Sequence, residues 1–206
     1  TLPKCSGLAD VRRLDDEITR LEKLRGMPVG KIKIAILIET ALGVLTVDEA
    51  VGGSSRLVAV IFGAVDYTRD MKVTRTDKAD EQFYARAKIG VAARAHGLVA
   101  EDAPFPNYAD VEAFKANCLS GAQLGFEGRQ IINPRQIPVA HEVYSPAPER
   151  VKWAKEITKV FEEEGLAKGS ASVGYQGSMI DIPVYRDGLN ILARQKEIEE
   201  KEASRK

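Results

Sequence analysis

Two carboxylates stand where an α/β enzyme could use them. Glu39 follows the apolar run Ile34-Ala35-Ile36-Leu37-Ile38, and Asp66 follows Val60-Ile61-Phe62-Gly63-Ala64-Val65. In α/β folds, ligands bind at the carboxyl ends of the strands. Neighbouring strands lie about 5 Å apart, so carboxylates at two adjacent ends could reach one ion. Without His or Cys nearby they suit a hard, oxygen-seeking cation. Magnesium takes one or two protein carboxylates and leaves its other positions to water and substrate. Gly43 and Gly63 beside them would let a ligand approach the backbone closely. Either carboxylate alone reads equally well as the N-cap of the helix that follows it.

The other reactive side chains offer less. His96, before Gly97, reads as a surface or capping residue, and His141, among Val139, Ala140 and Val143, as core or rim packing. Two histidines so far apart argue against a zinc enzyme. Cys5 and Cys118 are the only cysteines, too few for a disulfide framework or a thiolate zinc site. Two free thiols fit a reducing cytoplasm. With 30 basic and 30 acidic side chains the net charge is zero, which removes a general electrostatic case for nucleic acid or anionic membrane. The apolar runs, such as Leu57 to Phe62, are too short to span a bilayer. No signal-peptide pattern opens the chain, and residues 1–5 read as the end of a strand already under way.

The elements that must position these groups alternate. Ile32 to Ile38, Leu57 to Phe62, Leu98 to Glu101 and Arg129 to Ile132 read as strands buried on both faces. Leu8, Val11, Leu14, Ile18 and Leu21 recur at helical spacing. Asp80 to His96 and Tyr108 to Leu124 are further helices, closed by Gly97 and Gly125, and Pro134 can open a short one. This is the rhythm of a parallel sheet with crossover helices. Counting the stub at Leu2 to Lys4 gives five strands, where a (β/α)8 barrel needs eight. The pattern leaves open a doubly wound sheet or a barrel without its first three units. After Ser145-Pro146 the rhythm changes. Glu149 to Glu164 is a helix with Val151, Ala154, Ile157 and Phe161 on one face, Gly169 to Gly177 reads as a mobile loop, and Val184 to Lys206 is a helix ending in a charged tail. The expected division is residues 1–145 and 146–206.

Leu37-Ile38-Glu39-Thr40-Ala41-Leu42-Gly43 followed by Phe62-Gly63-Ala64-Val65-Asp66-Tyr67 resembles the paired signature of the citrate lyase β-subunit-like family, within the HpcH/HpaI aldolase group, which includes malyl-CoA, β-methylmalyl-CoA and citramalyl-CoA lyases. Further segments agree in order: Leu2-Pro3-Lys4, Ala85-Arg86, residues 100–105, residues 124–129, Tyr144-Ser145-Pro146 and Gly177-Ser178-Met179-Ile180-Asp181-Ile182-Pro183. The resemblance implies a (β/α)8 TIM barrel whose N-terminal strands are absent from this chain, followed by a C-terminal helical lid segment. It implies Mg²⁺, with Mn²⁺ as the alternative ion, held by Glu39 and Asp66, and coenzyme A as part of the substrate. Ala64, Val65, Ile132 and Asn133 fall at substrate- and CoA-contacting positions.

The activity implied is carbon–carbon cleavage of a short hydroxyacyl-CoA thioester to a keto acid and acetyl- or propionyl-CoA. Asp181, chemically a fitting cap for the helix beginning at Pro183, resembles the catalytic aspartate that a neighbouring subunit of a homo-oligomer (trimers or hexamers in relatives) inserts over the barrel mouth, with Gly169 to Gly177 as the hinge of that lid. Two departures stand out. Relatives have Ile-His-Pro where this chain has Ile132-Asn133-Pro134, and they begin with three further strands bearing an arginine near the thioester. Rival readings are a citrate lyase β subunit acting on a carrier-protein thioester, a malyl-CoA thioesterase, and a non-catalytic subunit.

Overall fold

A computed structural model describes residues 1–204. The chain divides into two compact units, Thr1–Tyr144 and a second from Ser145 onward.

The first unit is α/β. Helix α1 (Leu8–Leu24) precedes β1 (Ile34–Ile38), α2 (Ala41–Ala50), β2 (Leu57–Phe62), α3 (Ala64–Asp70), α4 (Phe83–Ala95), β3 (Val99–Asp102), α5 (Val111–Gln123), β4 (Gly128–Arg129) and α6 (Ile137–Tyr144). The strands form one parallel sheet in the order β1-β2-β3-β4, with Ile38 beside Phe62 and Ile61 beside Glu101. Successive parallel neighbours require a crossover each time, and the helices supply them. The stub at Leu2 joins through a single parallel bridge to Ile36 rather than as a full strand. It is tied by Leu2 N–H to Ala35 O (2.8 Å) and Leu37 N–H to Leu2 O (2.9 Å). The last predicted strand is also shorter than expected: only Gly128 and Arg129 join the ladder, and Ile131 turns instead into a small cluster with Phe105, Phe114 and Cys118.

The main core gathers Ile34, Ile36, Ile38, Val60 and Phe62 from the sheet with Val44, Val47, Ile89 and Ala93 from α2 and α4. Each large side chain so buried contributes about 1.5–3 kcal/mol. At the start of β2, a polar staple fixes α1. Arg56, only 3% exposed, bonds both oxygens of the buried Glu22 (3.0 and 2.7 Å), and also Asp15 and Thr19. Glu22 accepts in addition from the Gly30 and Ile32 N–H groups, each at 2.8 Å. A second staple crosses from α4: the buried Arg86 binds Asp102 at the end of β3, and Ser120 and the Asn117 carbonyl in α5.

The second unit holds α7 (Pro148–Val160), a π-helical turn at Phe161–Gly165, strands β5 (Ser172–Tyr175) and β6 (Ser178–Asp181), and α8 (Ile182–Ala203). The helix expected to reach Glu164 thus leaves α geometry at Phe161. Its apolar face survives the change, with Ile157, Phe161 and Ile180 buried together and Phe161 stacked on Tyr185 (centroids 5.0 Å apart). Gly188 allows α8 to lie against α7, since a Cβ there would meet Ile157 Cδ1 at 2.6 Å.

The segment expected to be a mobile loop, Gly169 to Gly177, is for the most part an antiparallel hairpin, with Val173 beside Ile180 and Tyr175 beside Ser178. Its two-residue turn, Gln176-Gly177, has positive φ at both positions (47° and 79°), the geometry that suits hairpin twist. Small polar residues read as a loop in sequence, but Val173 and Tyr175 give the hairpin an apolar side. Among the described residues, no helix is long and apolar enough to cross a membrane.

Candidate functional site

Glu39 and Asp66 meet at the carboxyl ends of adjacent parallel strands. Glu39 is the first residue past β1, and the Gly63 N–H closes the ladder onto Ile38 O at 2.9 Å. Neither carboxylate is a helix cap. Thr40 caps α2, accepting from Gly43 N–H at 3.0 Å. Gly63 occupies the N-cap position of α3, and Asp66 lies in that helix's first turn, where a negative charge is favoured by the helix dipole. β2 ends at Phe62, so the apolar run through Val65 is strand first and helix afterwards.

Glu39 is buried, at 6% exposure, with Oε1 accepting the Lys4 N–H at 2.8 Å. Asp66 is more open. Its Oδ1 accepts from Lys4 Nζ at 2.9 Å and from Arg69, one turn further along α3. The hydrogen bond from the Lys4 ammonium, then the charge of the Arg69 guanidinium, holds the Asp66 carboxyl below the usual carboxylate range against the opposing effect of desolvation. Among the described residues, no protein donor reaches Glu39 Oε2 or Asp66 Oδ2.

The donor set fits magnesium. Two carboxylates converge, and among the described residues no group of three or more His, Cys, Asp and Glu gathers as a metal centre. A cation here would draw two protein oxygens and complete its shell from water and ligand.

The glycines beside the pair do not open space for a ligand. A Cβ on Gly63 would fall 2.5 Å from Glu39 Cβ, and one on Gly43 2.6 Å from the Cys5 carbonyl. Both positions are filled by the chain itself, which packs the end of β1 against its neighbours. The histidine reading is likewise corrected at one position. His141 is exposed on α6, because Val139, Ala140 and Val143 take the inward positions of that short helix, while His96 is exposed at the C-cap of α4 as expected.

Of the other candidates, Ala64 is buried (2%) and Val65 exposed (57%), so only Val65 offers a side chain outward. Ile132 is exposed, and Asn133 caps the short 3-10 turn at Pro134–Gln136 through its Oδ1, accepting from Arg135 N–H at 3.0 Å. Gln136 Oε1 accepts from Ile132 N–H at 3.3 Å, and its amide donates to Phe105 O, which fixes this loop. Asp181 closes β6 and caps α8, accepting from Val184 N–H at 3.1 Å. An open groove lined by Ser6, Gly7, Arg12, Arg13 and Thr46 runs beside α1 and includes neither carboxylate.

Sequence reasoning named Lys4 only as part of a motif. Its signal was available, since Lys4 follows an apolar pair in the segment that leads into the sheet, as Glu39 follows β1.

Comparisons with known proteins identify the family. Residues 1–134 match the family model described as HpcH/HpaI aldolase/citrate lyase. The citrate lyase subunit beta of Leuconostoc mesenteroides subsp. cremoris is 39% identical over 183 residues, covering 89% of this chain and 60% of that protein. The L-malyl-CoA/beta-methylmalyl-CoA lyase of Rhodobacter capsulatus is 32% identical, covering 96% of this chain and 66% of the enzyme. Protein CitE of Mycobacterium tuberculosis, solved with magnesium, acetoacetate and coenzyme A, superposes with a TM-score of 0.72 at 26% identity, covering 93% of this chain and 66% of that one. This chain therefore spans roughly three-fifths to two-thirds of the length of these relatives. A family model covering well over half the residues, with relatives above 30% identity along most of the chain, leads to one conclusion: the chain belongs to the HpcH/HpaI aldolase/citrate lyase family.

Proposed function

We propose that this chain carries the metal-binding and C-terminal parts of a Mg²⁺-dependent lyase that cleaves a short hydroxyacyl-CoA thioester (malyl-, β-methylmalyl- or citramalyl-CoA) into a keto acid and acetyl- or propionyl-CoA. The observation that carries the reading is the convergence of Glu39 and Asp66 at two adjacent strand ends, each with one oxygen left without a protein donor. Successive parallel strands joined by helices support placing the sheet within a (β/α)8 barrel, whose carboxyl-end face is the usual place for chemistry.

Glu39 and Asp66 hold the cation, and Mn²⁺ suits the same two oxygens. When bound, it supplies Lewis-acid stabilisation of charge developing on the substrate's oxygens. Asp66, kept ionised by its cationic neighbours, stays a ligand across the neutral range. Val65, Ile132 and Asn133, with the backbone at Ala64, form the side on which the acyl-CoA rests. Asp181, delivered from a second copy in a homo-oligomer, transfers the proton at the substrate hydroxyl or at the acyl carbon. Cleavage breaks the bond between the carbinol carbon and the acyl α-carbon. The hydroxyl loses its proton, the electron pair left on oxygen forms a new double bond to the carbinol carbon as the keto acid leaves, and the electron pair of the broken carbon–carbon bond passes to the thioester fragment, which is then protonated.

The identity to citrate lyase β subunits favours one second reading, action on a citryl thioester of a carrier protein. Both readings are tested by following keto acid release from a panel of hydroxyacyl-CoA thioesters and a citryl-carrier thioester, with Mg²⁺ and then with excess chelator. Chelator-sensitive release from a CoA ester supports the first reading, and release from the carrier thioester alone supports the second. Release that ignores the chelator, or that survives Asp66→Asn, refutes the metal assignment.

A further inference from the structure

Among the described residues, Lys4 is the one whose hydrogen bonds reach both carboxylates. Its backbone N–H is bonded to Glu39 Oε1 at 2.8 Å and its ammonium to Asp66 Oδ1 at 2.9 Å. It does so from a left-handed backbone conformation, φ 49°, which is uncommon for a residue with a side chain and persists where the surroundings hold it. The Lys4 side chain remains 57% exposed, so the ammonium is free to swing on its four-carbon stem. Arg69 shares the same Asp66 oxygen, so Asp66 keeps a cationic partner if Lys4 departs.

We propose that Lys4 is the anion-holding residue of the site: its backbone fixes Glu39, while its ammonium rests on Asp66 until a divalent cation arrives and then turns to the carboxylate of a keto acid. The idea rests on the metal-site reading above. A dication on Asp66 repels an ammonium only a few ångströms away, and an exposed ion pair is too weak to resist that. Once released, the charge lies beside the cation on its solvent side. An anionic ligand that completes the cation's shell would approach from there, because the Asp66 side chain is 31% exposed while Glu39 is buried. The keto acid of the proposed reaction supplies such an anion, its carboxylate needing a cationic partner beyond the metal.

The test uses Mn²⁺ as a spectroscopic probe on the full chain, with free Mn²⁺ read by electron paramagnetic resonance, first alone and then with pyruvate added. Lys4→Met removes the ammonium and keeps the N–H. It is expected to bind Mn²⁺ about two- to five-fold more tightly, since an exposed pair no longer competes, and to hold pyruvate on the Mn²⁺-loaded protein about ten-fold more weakly. Lys4→Arg, which keeps a charge, is expected to restore pyruvate binding at least in part. Lys4→Gly relieves the left-handed backbone, so its melting temperature is expected to match or exceed that of the parent while its binding follows Lys4→Met. That separates a ligand role from a folding role. Equal or weaker Mn²⁺ binding by Lys4→Met, or unchanged pyruvate binding, overturns the proposal for Lys4 alone. A parent chain that binds no Mn²⁺ overturns both this inference and the function on which it rests.

Discussion

Replacing Gly63 with alanine tests the site and the packing that holds it in one step. The new Cβ would lie 2.5 Å from Glu39 Cβ and 2.9 Å from Glu39 Oε2. Carbon atoms rest at about 3.5–4.0 Å, so roughly 1 Å of overlap must be relieved. The backbone cannot easily give way, because the Gly63 N–H is bonded to Ile38 O in the ladder. Glu39 must move instead, and it loses its bond from the Lys4 N–H. Overpacking costs about 1–3 kcal/mol, and a buried acceptor left unpaired about 1–3 kcal/mol more. We expect a loss of about 2–6 kcal/mol, which in a chain of this size lowers Tm by roughly 4–24 °C. Because the overlapping oxygen is the one proposed to meet a cation, Mn²⁺ binding is expected to fall with it. Gly128→Ala is the control. A Cβ there meets nothing within 4 Å, so the melting curve and Mn²⁺ binding should stay as they are. Gly63→Ala protein that melts within about one degree of the parent and binds Mn²⁺ normally would falsify the packing argument and the placement of Glu39.

Other expectations follow from the same structure. The Glu22 carboxyl is lowered from 4.5 to about 2, first by its bonds from Arg56 and then by the Ile32 and Gly30 N–H groups. Because the folded value lies below the unfolded one, this stabilisation is present above about pH 4.5 and is lost as pH falls toward 2. Melting followed across that range should steepen in the parent and flatten in Glu22→Gln. Asp181→Ala should destabilise the second unit by about 1 kcal/mol through loss of the α8 cap, while Asp181→Asn keeps the cap. If Asp181 moves a proton, Asp181→Asn lowers keto acid release with metal binding intact; full activity in that variant assigns Asp181 to capping alone. Cys5 and Cys118 are fully buried and burial pushes both thiols up, so a thiol reagent should modify neither at neutral pH until the chain unfolds. Rapid labelling of the folded protein contradicts their placement.

Much of the arrangement was legible because it follows from period and position. The β-branched runs at Ile34–Ile38 and Leu57–Phe62 are strands wherever they are buried on both sides, and a carboxylate just past each one marks the ligand-bearing end. Helix α1 followed from Leu8, Val11, Leu14 and Ile18, and the ends of α4 and α5 from Gly97 and Gly125, which have positive φ. What was not legible depends on partners far apart in sequence. Nothing near Arg86 signals that it binds Asp102, and nothing near Gly63 signals that Glu39 fills the space above it. The hairpin at Ser172–Asp181 was hidden for another reason. Glycine, serine and glutamine break up its apolar residues, and only the packing of Val173 and Tyr175 against Phe161 and Ile180 decides that it is ordered.

The Arg56 staple and the carboxylate pair sit at opposite ends of β2, a strand of six residues and so roughly 20 Å long. Distant sites without shared partners contribute to stability almost independently. For directed evolution this separation is an opportunity. A library varied at Val65, Ile132 and Asn133, where the acyl-CoA is proposed to rest, draws on none of the bonds that anchor α1 to the sheet. Variants should then be lost to failed recognition of substrate far more often than to failed folding, so selection can explore that end of the sheet widely while the other end keeps the fold.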